Sequence, residues 1–369
     1  MSQEENLNKT RAIINLSACR HNLSIAQQAA PDSKCIAIIK ANAYGHGMIE
    51  IAKALQNTDA FGVARIQEAI ALRDAGIKQP ILLLEGFTSE KELKFVQQYN
   101  IKSVIHNDYQ IQLLEQLQGD NVSIVIKVDS GMHRLGFNPN EVIGVIEKVK
   151  QCKVVQSPIK LMTHFANADD KQDNKTLDQI DVFYKSAEAY LEKNITTEIS
   201  IANSAGILGW PQSHATWNRP GIMLYGVSPF LQSTALDHNL KPVMTLESQL
   251  ISIKQVPKGD SIGYGSTYIC DKEMTVGIVA IGYGDGYPRH AKTGTPVLVN
   301  GQRCALLGRV SMDMICIDLT GIKNVDVCDV VTLWGDGLPI EEVAESAETI
   351  AYELLCGVTQ RVEIKYLDE

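Results

Sequence analysis

The sequence has no CxxC pair among its eight cysteines and no cysteine spacing of the metal-binding kind, so neither a metal centre nor a disulfide framework is expected. It has no cluster of Lys and Arg to offset a formal charge of −9, which argues against a partner with a phosphate backbone; no nucleic acid is expected. It also lacks an apolar run of membrane-spanning length and a recognisable signal peptide, so no membrane partner is expected and a reduced cytoplasm is the simplest home. Low-complexity segments and long linkers are missing too. What remains is a chain of 369 residues, long enough for two or three domains at ~150 residues each. Its partners are expected among small molecules and other protein chains.

The first 235 residues carry short apolar runs separated by amphipathic segments. The runs are CIAIIK, AFGVAR, ILLLEG, KSVIH, VSIVIKVD, IKLMTHF, EISIAN and ATWNRP. Runs this short, rich in β-branched residues, fit strands buried on both faces. Intervening pieces such as IQEAIALRDAG place apolar residues at helical spacing and end near glycine. Eight such units predict an α/β fold with a (β/α)8 barrel over residues 8–235. After residue 236 the pattern turns to strand-like alternation with tight turns, and helix is expected only within residues 340–356. Asn300-Gly301 between two apolar runs predicts a hairpin. Residues 236–369 therefore predict a smaller, mostly β domain.

A (β/α)8 barrel places its reactive groups at the carboxyl ends of its strands. Lys40 ends the first run. A lysine at a strand end ordinarily snorkels its ammonium to solvent. Held among apolar neighbours at a barrel mouth, its charged form would be disfavoured, and such an amine can form a Schiff base with a cofactor like pyridoxal phosphate. A phosphate site should then follow strands seven and eight, where Asn203-Ser204-Ala205-Gly206 and Pro220-Gly221-Ile222 stand. Each could be an ordinary turn. The N–H groups of Gly221 and Ile222 would open a short helix, IMLYG, whose dipole favours an anion. His164 and Arg219 end the sixth and eighth runs and would face the same mouth, although a lone histidine or arginine is more often structural.

At this point the motifs carry a resemblance. AIIKANAYGHG, KVDSGMHRLGF, MTHFANAD, NSAG, RPGIMLYG, IGYG, IGYGDGYPR, GRVSMDM and AYEL resemble, in order and over nearly the full length, the alanine racemase family of fold-type III pyridoxal-phosphate enzymes. The resemblance implies a homodimer whose active sites lie between one barrel and the partner's β domain. It implies Lys40 as the lysine that carries the cofactor and as the base on one face of the substrate. Tyr264, which alone would read as a turn anchor, becomes the base on the other face. Racemisation removes a proton from one face of a carbon and returns it on the opposite face, so two bases are natural. Tyrosine's ordinary pKa of ~10 leaves little of it ionised and so makes it a poor base at neutral pH, and the family pattern has His164 contacting this phenol and Arg219. Arg219 is implied to donate to the pyridine nitrogen. Arg134 is implied to reach the cofactor phenolate and substrate carboxylate, with the Met312 backbone N–H on that carboxylate. Tyr44, Ser204, Gly221, Ile222 and Tyr352 are implied phosphate contacts, and Tyr283 stands near the entrance. Lys127 occupies a position where family members often carry a carbamylated lysine. The implied reaction interconverts L- and D-alanine, supplying D-alanine for peptidoglycan or degrading alanine. A racemase of serine, lysine or a broad range of amino acids, and a non-catalytic barrel-type carrier of the cofactor, are the alternatives. The carrier would need no β domain, Tyr264 or Arg134.

Overall fold

The computed structural model of the chain describes residues 9–193 and 197–368; residues 8 and 369, which bound the expected domains, lie outside them. Eight parallel strands close into a barrel: β2 (Lys34–Ile38), β3 (Ala60–Val63), β4 (Ile81–Leu83), β5 (Lys102–Ile105), β6 (Ile124–Lys127), β7 (Lys160–Met162), β8 (Ile199–Ser200) and β9 (Trp217–Asn218). Each overlaps one of the eight apolar runs, β2 beginning one residue before its run. β9 returns to β2 through Lys34 opposite Trp217, which closes the ring. Strands β3, β4 and β6 are buried at every residue, the signature of a sheet covered on both faces. The helix Ile66–Asp74 shows how the crossovers pack: Ile66, Ala69 and Leu72 turn one stripe to the barrel, and Gly76 at φ +83° ends the segment.

The strand β1 (Arg11–Asn15) corrects the expected division. It lies inside the range 8–235 but joins no barrel strand. It pairs antiparallel with β10 (Met244–Val256) and parallel with β18 (Glu363–Leu367). In the fold its buried and half-buried positions alternate. Such a strand suits a sheet with one covered face, not a barrel wall covered on both.

The second domain holds β11 (Ser261–Ile262), β12 (Tyr268–Ile269), β13 (Met274–Val279), β14 (Pro296–Val299), β15 (Gln302–Leu307), β16 (Ile315–Asp318) and β17 (Val330–Trp334). Its main sheet runs β13-β16-β15-β14-β17-β10-β1-β18, and the far half of β10 also pairs with β13. The hairpin β14–β15 turns on Asn300 and Gly301, both left-handed at φ +49° and +74°. Helices Ile340–Ser346 and Ala351–Gly357 fill the helical stretch expected there, and the second packs against the segment after Lys40. No helix among the described residues is long and apolar enough to cross a membrane.

Candidate active site

The carboxyl ends of the barrel strands open into a cavity of about 1380 Å³. Lys40, Tyr44, Lys127, Arg134, His164, Ser204, Arg219, Gly221, Ile222 and Tyr352 all line it. They come from seven separate segments of sequence; barrel closure gathers all but Tyr352, which the helix Ala351–Gly357 of the β domain brings to the mouth.

Lys40 stands two residues past β2, and the chain after it does something the sequence reading did not foresee. Ala41, Asn42, Ala43 and Tyr44 all lie in the left-handed region, at φ +52°, +54°, +54° and +53°. A left-handed non-glycine residue costs about 1–2 kcal/mol, so a run of four is strained backbone held by its surroundings. Among the four only Asn42 is a residue type that tolerates positive φ; Ala41, Ala43 and Tyr44 are not.

The turn carries Tyr44 back over the cavity, where its ring stacks on Tyr225 at 4.7 Å and stands 5.9 Å from Tyr352. Beside it, the Ser204 hydroxyl accepts the Gly221 N–H at 2.8 Å and the Met223 N–H at 3.4 Å. A Cβ built on Gly221 would sit 3.0 Å from the Tyr44 hydroxyl, so glycine here keeps open a space faced by O–H and N–H donors. Burial raises the Tyr44 phenol above its ordinary range, and burial with Asp169 pushes Tyr352 up to about 12. Both therefore stay protonated and able to donate. An anion such as phosphate fits this cradle. The expected helix dipole does not contribute: Ile222–Tyr225 is one four-residue 3-10 turn, too short to sum aligned peptide dipoles.

Arg219 is buried at 3% exposure with its donors fixed. Nη1 donates to the Ser200 hydroxyl at 2.5 Å, and Nη2 donates to the carbonyls of Thr163 at 2.6 Å and Ile201 at 3.1 Å. Nη2 also lies 3.3 Å from His164 Nδ1. Burial pulls Arg219 down to about 10. His164 falls well below its usual range, first through burial and then through the charges of Arg219, Lys127, Arg134 and Lys40. Lys127 falls to about 8 for the same two reasons, burial first and then Arg219 and Arg134. The supports Ser200 and Thr163 escaped the sequence reading, because strand residues of these types carry no local mark of what they will meet.

Arg134 is presented by the loop after β6. The Asp129 carboxylate accepts the N–H groups of Gly131, Met132 and His133, which fixes the path from Lys127 to Arg134. Lys40, Lys127, Arg134 and Arg219 thus bring four cations to the lining of one cavity.

Tyr264, Tyr283 and Met312 are not in this cavity. They are exposed at 69%, 40% and 52% on the β domain. There the Tyr283 N–H donates to the Ser311 carbonyl and the Gly284 N–H to the Met312 carbonyl, at 3.0 and 2.8 Å. The loop bearing Tyr264 abuts Arg309, three residues before Met312. The expected site residues thus form two groups, one in the barrel mouth and one on the face of the β domain.

Comparison with known proteins gives a consistent result. The family profile described as "Alanine racemase, N-terminal domain" matches residues 14–229, and "Alanine racemase, C-terminal domain" matches residues 243–366. The chain is 48% identical to an alanine racemase of Vibrio cholerae serotype O1 over 360 residues, which is 96% of this chain and 97% of that one. It is 46% identical to the biosynthetic alanine racemase of Escherichia coli K12, over 96% and 98% of the two chains. Its fold superposes on the crystal structure of biosynthetic alanine racemase from Pseudomonas aeruginosa with a TM-score of 0.93 at 41% identity, covering 98% of this chain and all of the other.

Proposed function

The chain belongs to the alanine racemase family, and from that premise we propose that it interconverts L- and D-alanine with pyridoxal 5'-phosphate as cofactor and two bases from two subunits. The observation that carries this is the division of the site: Lys40 lies in the barrel cavity while Tyr264 stands exposed on the β domain of the same chain. A homodimer would set the second group over the partner's first.

The cradle of Tyr44, Ser204, Gly221, Ile222 and Tyr352 fits the cofactor's phosphate, and the Lys40 amine would hold the cofactor covalently. Bound there, the cofactor supplies an electron sink that acidifies the α-hydrogen of an amino acid. Arg219 only donates hydrogen bonds, so against the ring nitrogen it would keep that nitrogen unprotonated and limit the sink, favouring return of the proton to carbon over transamination. Arg134 and the Met312 N–H would receive the substrate carboxylate. Lys40 would take or give the proton on one face, and Tyr264 of a second copy on the other. Lys127 would carry a carbamate whose negative charge pairs with Arg134. Tyr283 and Tyr352 would narrow the entrance to a substrate as small as alanine. D-alanine made this way would serve peptidoglycan, and the reverse direction would feed alanine degradation. All eight cysteines are free thiols, which suits a reducing cytoplasm.

Purified protein should be yellow, and borohydride should fix the cofactor on Lys40, read by peptide mass mapping. Racemisation should be fastest with alanine across a panel including serine and lysine. A reduced adduct on another lysine, or a colourless protein without alanine turnover, overturns this function.

A further inference from the structure

We infer that His46 is a positioning residue that locks the left-handed turn Ala41–Tyr44 and so aims Lys40 and Tyr44 into the cavity. The turn needs an external lock because four successive non-glycine residues at positive φ would otherwise relax. His46 is fully buried, and its Nδ1 lies 2.9 Å from both the Ala43 and the Tyr44 carbonyl oxygens. Carbonyls only accept, so Nδ1 must carry the proton. Nε2 is buried and finds no hydrogen-bond partner among the described residues, which leaves it the unprotonated nitrogen of a neutral ring. One N–H therefore spans the last two residues of the strained turn.

The rest of the lock surrounds this bond. The His46 ring lies against Tyr225 at 4.6 Å, on whose ring Tyr44 also stacks. The Tyr225 hydroxyl donates to the Ile38 carbonyl at 2.9 Å, tying the stack to the end of β2 just before Lys40. The start of the turn is held from the next βα unit. Glu68 accepts the Ala41 N–H at 2.7 Å while its other oxygen accepts those of Ala64 and Arg65. Asn42 Oδ1 accepts the Met48 N–H at 2.9 Å. Glu68 and His46 thus fix the two ends of the segment that separates the amine from the phenol. Release of either end would let Tyr44 leave Gly221 and Lys40 lose its direction.

The inference rests on the proposed cofactor chemistry for its consequence, and its test separates the two. Nitrogen-15 NMR of the wild-type holoenzyme should show His46 as the Nδ1–H tautomer; an Nε2–H tautomer overturns the lock whatever the enzyme binds. His46→Phe keeps a buried ring but cannot donate, whereas His46→Asn loses the ring and keeps a short N–H donor. The Phe variant should bind pyridoxal phosphate about tenfold more weakly or worse and shift the pH at which the bound cofactor's visible band titrates. The Asn variant should recover most of both. A folded Phe variant with wild-type affinity and titration, or an Asn variant no better than Phe, overturns the inference. If the Phe variant does not fold, an Asn variant weakened as much as tenfold overturns it alone. Wild-type protein that binds no pyridoxal phosphate refutes the cofactor instead.

Discussion

Nη2 of Arg219 stands 3.3 Å from Nδ1 of His164, with both side chains deep in the barrel mouth. A guanidinium only donates, and both Nη2 hydrogens already face the Thr163 and Ile201 carbonyls, so Nδ1 of His164 at most shares one of them. The arginine and a neutral imidazole thus form one polar unit. Ser200 and two backbone carbonyls hold it in place.

Arg219→Glu should therefore change reaction partitioning more than cofactor binding. A buried acid facing the carbonyls of Thr163 and Ile201 would hold its proton and could share it with the ring nitrogen, deepening the sink. Racemisation should fall, and transamination should rise relative to it, as measured by pyruvate formed per alanine racemised. An unchanged ratio removes this role for Arg219.

Stability should fall as the solution is acidified below neutrality. Burial pulls His46 down to about 4, and His164 lies well below its usual range. In the unfolded chain both take up protons as pH drops through about 6.5, while the folded protein does not, so folding is penalised progressively below that value. For His46 alone the loss is about 2 kcal/mol by pH 5. Thermal unfolding from pH 7 to 5 should show a declining Tm, with a shallower decline in His46→Asn. Equal slopes would mean that His46 titrates alike folded and unfolded.

Gly221→Ala tests the cradle. Its Cβ would lie 3.0 Å from the hydroxyl of Tyr44, and Tyr44 is hemmed by Tyr225 and Tyr352 and cannot easily give way. Cofactor affinity should drop about tenfold with little change in Tm. Fluorescence titration giving the wild-type constant would show that the space is not used.

Lys127, held at about 8 by burial and by Arg219 and Arg134, is partly a neutral amine near pH 8. That amine can add carbon dioxide, forming an N–C bond and releasing one proton, and the carbamate would then sit among cations. Carbon-13 NMR after exchange with labelled bicarbonate should show one protein-bound carbamate that is lost in Lys127→Ala. A spectrum without it would leave an ammonium at that position.

Mixing Lys40→Ala with Tyr264→Phe decides whether the sites are shared. Each variant should be inactive alone. Co-refolded in equal amounts, half of the dimers are mixed, and two-fold symmetry gives each of these one intact and one doubly altered site, so about a quarter of wild-type activity should return. No recovery, with subunit exchange and cofactor binding verified, would place both residues in one chain's site.

The eight barrel strands could be read from sequence because burial on both faces writes itself locally, as short apolar runs like CIAIIK and VSIVIK. The Asn300-Gly301 hairpin was legible for a similar reason, since its conformation is set by the two residues that adopt it. Lys40, His164 and Arg219 were read from their places at strand ends, whereas Tyr44, Arg134 and Tyr264 were named from motif resemblance. Spacing could not have assembled them, because sequence distance does not report barrel closure. The strand Arg11–Asn15 went unread, because its three apolar residues carry no mark of partners that lie 230 or more residues away in β10 and β18. The left-handed turn after Lys40 was hidden for a further reason. Local propensity opposes it, and it exists because His46 and Glu68 hold it from outside. Sequence alone determined which segments form the barrel strands, where the Asn300-Gly301 hairpin turns and which family motifs the chain carries. Tertiary structure decided which side chains share a cavity, which groups burial holds away from their ordinary pKa, and which strained backbone can persist, because each depends on contacts between segments far apart in the chain.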